Sequence, residues 1–233
     1  MIIKFILYGL LGLCLGSFFN VVQSRDDWKV GRSRCDNCGH ILSWYELIPI
    51  ISFICLKGKC KECKTKIDIS HIVAEMFSLI GFIVFAMLDF NVVTLITIVV
   101  LVFNAIMDYK TRMVDTRVTY SGIGILLLIR ILQYWKAEFF WSYALLLFLT
   151  AVIFYLSSMV FEKYIGDGDF DIAFFLILSL GYLDFLNCIF YASLIGVGYA
   201  IIKRLKPQTA IPLVPLFYFG YLTTLLLQGK DFI

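Results

Sequence analysis

Eight predominantly apolar stretches, at 2–22, 69–88, 91–107, 118–135, 139–161, 170–183, 185–202 and 210–227, follow one another along the chain. The hydrocarbon core of a bilayer is about 30 Å thick and takes about 20 apolar residues of helix, fewer where one end reaches the interface. Within lipid a helix satisfies its own backbone hydrogen bonds, so continuous apolar runs of this length specify helices. With 61% of residues hydrophobic and 16% charged, a single water-facing globule is excluded. The expected fold class is an all-α polytopic membrane protein of about eight transmembrane helices. The sixth stretch is the shortest. The first lacks a small-residue cleavage site before the charged loop that follows, and is expected to be retained.

Lys and Arg accumulate in cytoplasmic loops, and here they set the orientation. The loop 23–68 carries nine of them, Arg25, Lys29, Arg32, Arg34, Lys57, Lys59, Lys61, Lys64 and Lys66. Lys110, Arg112, Arg117, Lys163, Lys203, Arg204 and Lys206 fall in alternate loops on the same side, while Lys136 and Lys230 are left outside. The cysteine-bearing loop therefore faces the cytoplasm of a cell membrane, with both chain ends outside. A net charge of +3, distributed by membrane side and not as a basic patch, suggests the lipid bilayer as partner and no nucleic acid.

The loop contains two Cys-x2-Cys pairs, Cys35/Cys38 and Cys60/Cys63. Two such knuckles offer four thiolates in a tetrahedral arrangement, which favours structural Zn2+. A disulfide pair is the competing reading, and a reducing cytosolic face argues against it. A loop this short buries too little apolar surface to fold alone, and metal binding can supply the missing free energy. Four sulfurs close the coordination shell, so catalytic metal chemistry is not expected. Cys14, Cys55 and Cys188 read as small buried apolar residues.

Acidic side chains at membrane depth are functional candidates by default. The informative ones are Glu75, Asp108, Asp115, Asp167, Asp169 and Asp171. In the topology above, Asp108 ends the third span at the cytoplasmic mouth, and Asp169, within Gly166-Asp167-Gly168-Asp169, opens the sixth span on that same side. Two carboxyls brought close together share a proton: one acts as base on a water while the other polarises a carbonyl. That suits hydrolysis of a peptide bond without a covalent intermediate. Gly166 and Gly168 leave room for an extended substrate. The plainer reading is that of interfacial acids suited to helix N-termini. Ser17 and Asn20 lie three apart on the first span, on one helix face, where they line a groove or hydrogen-bond to another span. Arg112 and Lys110 read as anchoring charges, and His40 and His71 as interfacial residues.

These residues resemble the type IV prepilin peptidases, also called leader peptidase/N-methyltransferases, whose Gram-positive members include late-competence proteins. The resemblance runs through Gly16-Ser17-Phe18-Phe19-Asn20-Val21-Val22, the paired cysteines, Ile69-Ser70-His71 leading to Glu75, Asp108 with Asp115 seven residues on, Gly166-Asp167-Gly168-Asp169, and Ala210-Ile211-Pro212-Leu213-Val214-Pro215. It implies Asp108 and Asp169 as catalytic aspartates. Gly166, Gly168, Asp115, Glu75, Ser17 and Asn20 are implied as supporting or substrate-contacting residues. The substrate implied is a prepilin-like membrane protein with a short basic leader, cut after a glycine at the cytoplasmic face. Methylation of the new N-terminus with S-adenosylmethionine is a second implied activity, for which the sequence carries no Gly-rich fingerprint. The chain departs from the family pattern at Val114, where proline is usual, at Asp171, where lysine is usual, and in the stretch 69–75, which lacks Arg-Tyr-Pro.

The expected organisation is a first transmembrane helix at 1–22, a cytoplasmic zinc-binding loop associated with methyl transfer at 23–68, and a transmembrane aspartic peptidase domain at 69–233. Two other function classes compete. One is a polytopic ion or proton carrier with the loop as gate. The other is a pilus-type assembly factor that docks through the loop. A carrier places its acids near the bilayer midplane on broken helices, whereas these sit at span ends.

Overall fold

Each of the eight apolar stretches coincides with an α-helix in the computed structural model, which describes residues 2–24, 32–88, 91–161, 166–204, 206 and 211–228. Arg25, Lys29, Lys163, Pro207, Ala210 and Lys230 lie outside the described residues. The helices are α1 (Ile2–Ser24), a short α2 (Ile51–Cys55), α3 (Ser70–Met87), α4 (Val92–Thr111), α5 (Thr116–Tyr134), α6 (Phe140–Phe161), α7 (Asp167–Leu180), α8 (Tyr182–Lys203) and α9 (Leu213–Gln228). Among the described residues there is no strand, only the isolated bridges Arg34–Ile41 and Lys59–Lys66 in the loop. Five helices, α1, α3, α4, α6 and α8, are long and apolar enough to cross a membrane, and α9 is a shorter apolar helix. This is a multi-pass membrane protein.

The chain divides into two compact units, Met1–Asp89 and Phe90–Ile233. In the first, α1 lies against α3 through a glycine-lined face. A Cβ at Gly16 would sit 2.5 Å from the Ala74 carbonyl oxygen, and one at Gly12 would sit 2.7 Å from that of Ser78. Small residues at such a crossing let backbones approach closely, which is how helices gain packing energy where lipid supplies no hydrophobic drive. Replacing Gly16 with valine should force α1 and α3 apart. The expected loss is about 1–3 kcal/mol, typical of overpacking, read as a lower thermal midpoint in detergent micelles. An unchanged midpoint would show that the crossing does not need the glycine.

In the second unit α4 and α7 form the centre, with Ile98, Leu101, Ala105, Phe175, Leu176 and Leu178 essentially fully buried, joined by Tyr218 and Tyr221 of α9. A cluster of hydroxyls ties these three helices together. Thr97 Oγ1 lies 2.7 Å from Ser179 Oγ, and the Tyr221 hydroxyl lies close to Ser179, Thr97 and Thr94. Away from water, each of those groups needs a partner, so the cluster fixes the mutual rotation of the helices.

Helix ends are set by capping. Asn91 caps α4 by accepting the Val93 N–H at 2.9 Å, and α4 stops at Arg112 in the left-handed conformation, φ 59°. Asp115 caps α5, accepting the N–H groups of Arg117 at 2.9 Å and Val118 at 3.4 Å. Gly181, at φ 85°, both ends α7 and starts α8. The carbonyls that α7 leaves open there are taken by Arg130 of α5, whose Nε donates to Leu178 O at 2.9 Å and Nη2 to Ser179 O at 2.8 Å. By contrast α6 is exposed along most of its length, with Leu147 buried, as befits a helix facing lipid.

Candidate active site

The second unit brings together the two aspartates that sequence topology places on one membrane face. Asp108 occupies the last turn of α4 and is buried, with 6% of its surface exposed. Its Oδ2 accepts the Val214 N–H at 3.0 Å, in the first turn of α9. The positive end of the α9 dipole thus faces this carboxyl, and the unpaired N–H groups of a helix start suit an anion. Arg112, one turn on, also lies near enough for its charge to act on Asp108. Asp169 lies in the first turn of α7, half-buried, its N–H donating to Gly166 O at 3.0 Å. The charge of Asp108 is felt at Asp169.

The flanking glycines have different surroundings. A Cβ at Gly168 would collide with Val114 Cβ at 2.7 Å, so the α4–α5 turn leans directly on the start of α7. At Gly166 a Cβ would meet nothing nearer than Asp169 Oδ2 at 3.6 Å, and that residue is exposed. Asp167 is exposed, and Asp171, one turn along α7, is engaged by the Tyr120 hydroxyl. Asp115 is the N-cap of α5 and has its partners there. Sequence reasoning did not single out Val214 as a partner of Asp108. Its signal was present in the Pro212-Leu213-Val214-Pro215 segment, because proline marks a helix start and the first N–H groups of a helix have no acceptor within it.

The remaining candidates gather in the first unit. The Ser17 hydroxyl lies beside the Glu75 carboxyl, and the Asn20 amide meets His71 Nδ1, so two α1 residues three apart face two α3 residues four apart. Glu75, buried in α3, also accepts the Ile50 N–H at 2.7 Å. These groups border a cavity of about 300 Å³, whose walls include Ser17, His71 and Glu75 and, from the loop, Arg34, Glu46 and Lys61. Glu46 belongs to a short 3-10 turn, Trp44–Leu47. The Ser43 backbone N–H, at 2.8 Å, holds its carboxyl below the usual range, aided by His40 Nε2 at 3.2 Å. Its second oxygen, Oε1, is buried without a hydrogen-bond partner.

Beside the cavity, the four cysteine sulfurs of the two knuckles all lie within 4.8 Å of one another. Cys35 and Cys63 sulfurs are 3.8 Å apart, and those of Cys38 and Cys60 are 3.9 Å apart. A tetrahedral metal with bonds to sulfur of about 2.3 Å needs sulfurs roughly 3.8 Å apart, so this cluster fits a metal ion. All seven cysteines are free. The knuckles are built alike. Cys35 N–H donates to His40 O at 2.8 Å and Gly39 N–H to Cys35 O at 2.9 Å, while Cys60 N–H donates to Thr65 O at 2.9 Å and Lys64 N–H to Cys60 O at 3.2 Å. Gly39 and Lys64 sit at matching places with φ of 72° and 58°. The Thr65 hydroxyl and backbone N–H, with Asn37, hold the Cys63 thiol down at about 5.

Comparison with known proteins agrees with this division. Residues 10–89 match the family model described as the bacterial peptidase A24 N-terminal domain, and residues 95–201 match that of the type IV leader peptidase family. Relatives named prepilin leader peptidase/N-methyltransferase include one from Myxococcus xanthus, 44% identical over 34% of this chain and 24% of the relative. One from Vibrio cholerae is 31% identical over 49% of this chain and 52% of the relative. One from Bacillus subtilis is 27% identical over 88% of this chain and 87% of the relative. The first two matches thus take in about a quarter and about half of those relatives' own length. No solved structure matches the chain.

Proposed function

Because this chain belongs to the type IV leader peptidase family, we propose that it is a membrane aspartic endopeptidase with Asp108 and Asp169 as its catalytic pair. The observation that supports this reading is that a buried acid on α4, which has a backbone donor, lies near enough to an acid in the first turn of α7 for its charge to act there. One carboxylate takes a proton from water as the oxygen adds to the scissile carbonyl. The partner, protonated, hydrogen-bonds to that carbonyl and then gives its proton to the departing amine. Gly166, open toward solvent, leaves space for an extended peptide beside the pair.

The substrate in this reading is a prepilin-like protein with a short basic leader and an apolar helix behind it, cut after glycine. The basic leader stays in the cytoplasm while the helix enters the membrane, which sets the scissile bond at the interface. All eight apolar helices then cross the membrane, with the loop and the aspartates on the cytoplasmic side, as the distribution of Lys and Arg requires.

The first unit fits a second role. The four-cysteine cluster holds Zn2+ as a structural ion, its coordination closed by sulfur. The neighbouring cavity is of the size of small-ligand sites, and the open oxygen of Glu46 together with Glu75 suits a ligand carrying positive charge. S-adenosylmethionine, with its ammonium and sulfonium groups, is such a ligand, and when bound it supplies an activated methyl group. Glu46 and Glu75 would hold it, and the acceptor is the amine freed by cleavage.

Co-expression with a prepilin-like substrate, followed by mass measurement of the product, tests both activities. Loss of the leader is expected from the peptidase, and a further gain of one methyl group from the transferase. Intact precursor at full enzyme expression would count against the peptidase.

A further inference from the structure

Asn104 lies one turn before Asp108 on α4, fully buried in an otherwise apolar segment, and none of the roles above uses it. A primary amide there must find partners, and this one finds three. Its Nδ2 donates to Val100 O at 3.0 Å and to Thr119 Oγ1 at 3.2 Å, and its Oδ1 accepts the Asp115 N–H at 2.9 Å. The Thr119 hydroxyl in turn donates to Asp115 O at 3.1 Å. The amide therefore clamps the end of the α4–α5 turn, which includes the left-handed Arg112, back onto α4 itself. Val114, the residue before the clamped Asp115, is the side chain that abuts Gly168, next to Asp169.

We propose that Asn104 is the positioning residue that sets the separation of the two carboxyls. On one side it shares a helix face with Asp108, four residues on. On the other it acts through Asp115 and Val114 upon the start of α7. Helix α4 is rigid over one turn, the Asn104–Asp115 bond is short, and Val114 fills the place where a side chain at position 168 would stand. Losing the amide leaves the Asp115 N–H without its acceptor, releases the turn, and lets the first turn of α7 drift from Asp108. Proton sharing between acids is sensitive to such drift, and a misplacement of about 1 Å can lower a rate about a hundredfold.

This inference rests on the aspartic peptidase reading, and the experiment separates the two. Asn104→Ala, Asn104→Leu and Thr119→Val are compared with the parent on a synthetic prepilin-type peptide in phospholipid–detergent micelles. The Asn104 variants should lose about 10- to 100-fold in kcat with KM within about twofold, because substrate binding is intact and the acids are misplaced. Thr119→Val keeps the bond to Asp115 N–H and should stay within about threefold of the parent. In parallel, cysteines placed at 108 and 169 are bridged by a short bifunctional thiol reagent, and the 108–169 linkage is quantified by peptide mass in folded protein. Its yield should fall when Asn104→Ala is added. An unchanged kcat in folded Asn104→Ala, or an unchanged bridging yield, overturns the proposal. A parent that never cleaves refutes the peptidase reading instead, while the bridging arm still decides whether Asn104 sets the separation.

Discussion

Asp108→Asn and Asp169→Asn should each reduce leader cleavage by about a thousandfold or more while leaving the protein folded. Asparagine keeps the size and polarity of aspartate, and at position 108 its amide oxygen can still accept the Val214 N–H that Oδ2 accepts in the parent. What is lost is the exchange of a proton with water or with the departing amine. Positioned general acid–base groups contribute about 10²–10⁴ each. Because the two carboxyls share one task, the double variant should be no slower than either single one within about threefold, a non-additivity expected of groups that act as a unit. Product mass in co-expressing cells, normalised to enzyme level, measures this. Cleavage that persists with either amide in place would sink the pairing, and a double variant far slower than the singles would mean that the acids serve separate steps.

The second large effect is expected at the cysteine cluster. Purified protein should carry about one Zn2+ per chain by elemental analysis, and Cys35→Ser or a strong chelator should remove it. The loop has few other means of holding its shape, since its described secondary structure amounts to two isolated bridges, a 3-10 turn and the five-residue α2. Structural zinc contributes an apparent 10–16 kcal/mol or so in zinc-finger peptides, enough to decide whether such a segment folds. Metal removal should therefore open residues 32–68 to limited proteolysis while far-ultraviolet circular dichroism, dominated by the long helices, barely changes. A metal-free preparation whose loop resists protease would refute a structural ion.

The long helices are legible in the sequence because lipid demands apolar runs of a given length, and charges or turn residues interrupt them. The knuckles are legible because sulfur ligation requires a fixed spacing. Which helix faces meet is another matter. In water a helix announces its buried face by a polar stripe opposite, but α6 and α9 are apolar all round and give no such cue. The close crossing of α1 on α3 is visible only as Gly12 and Gly16, which read equally well as flexibility. Polar residues were better guides. Ser17 and Asn20 pointed to a shared face, and in the structure they meet Glu75 and His71. Asp108 and Asp169 were paired by counting membrane crossings, a long-range inference that local periodicity could not have made. Asn104 and Val214 were missed for opposite reasons. The former is a single amide inside an apolar run, and the latter acts through its backbone, which a side-chain reading ignores.

The brevity of α7 bears on how the surrounding lipid must behave. Its fourteen residues rise about 21 Å at 1.5 Å each, well short of a hydrocarbon layer of about 30 Å. In the eight-span topology proposed above, a mismatch of that size would be relieved by local thinning of the bilayer or by solvent reaching down to the helix start. Either deformation would wet Asp169 below the average plane of the headgroups, so that hydrolysis could take place inside the membrane without a dedicated water channel through the protein.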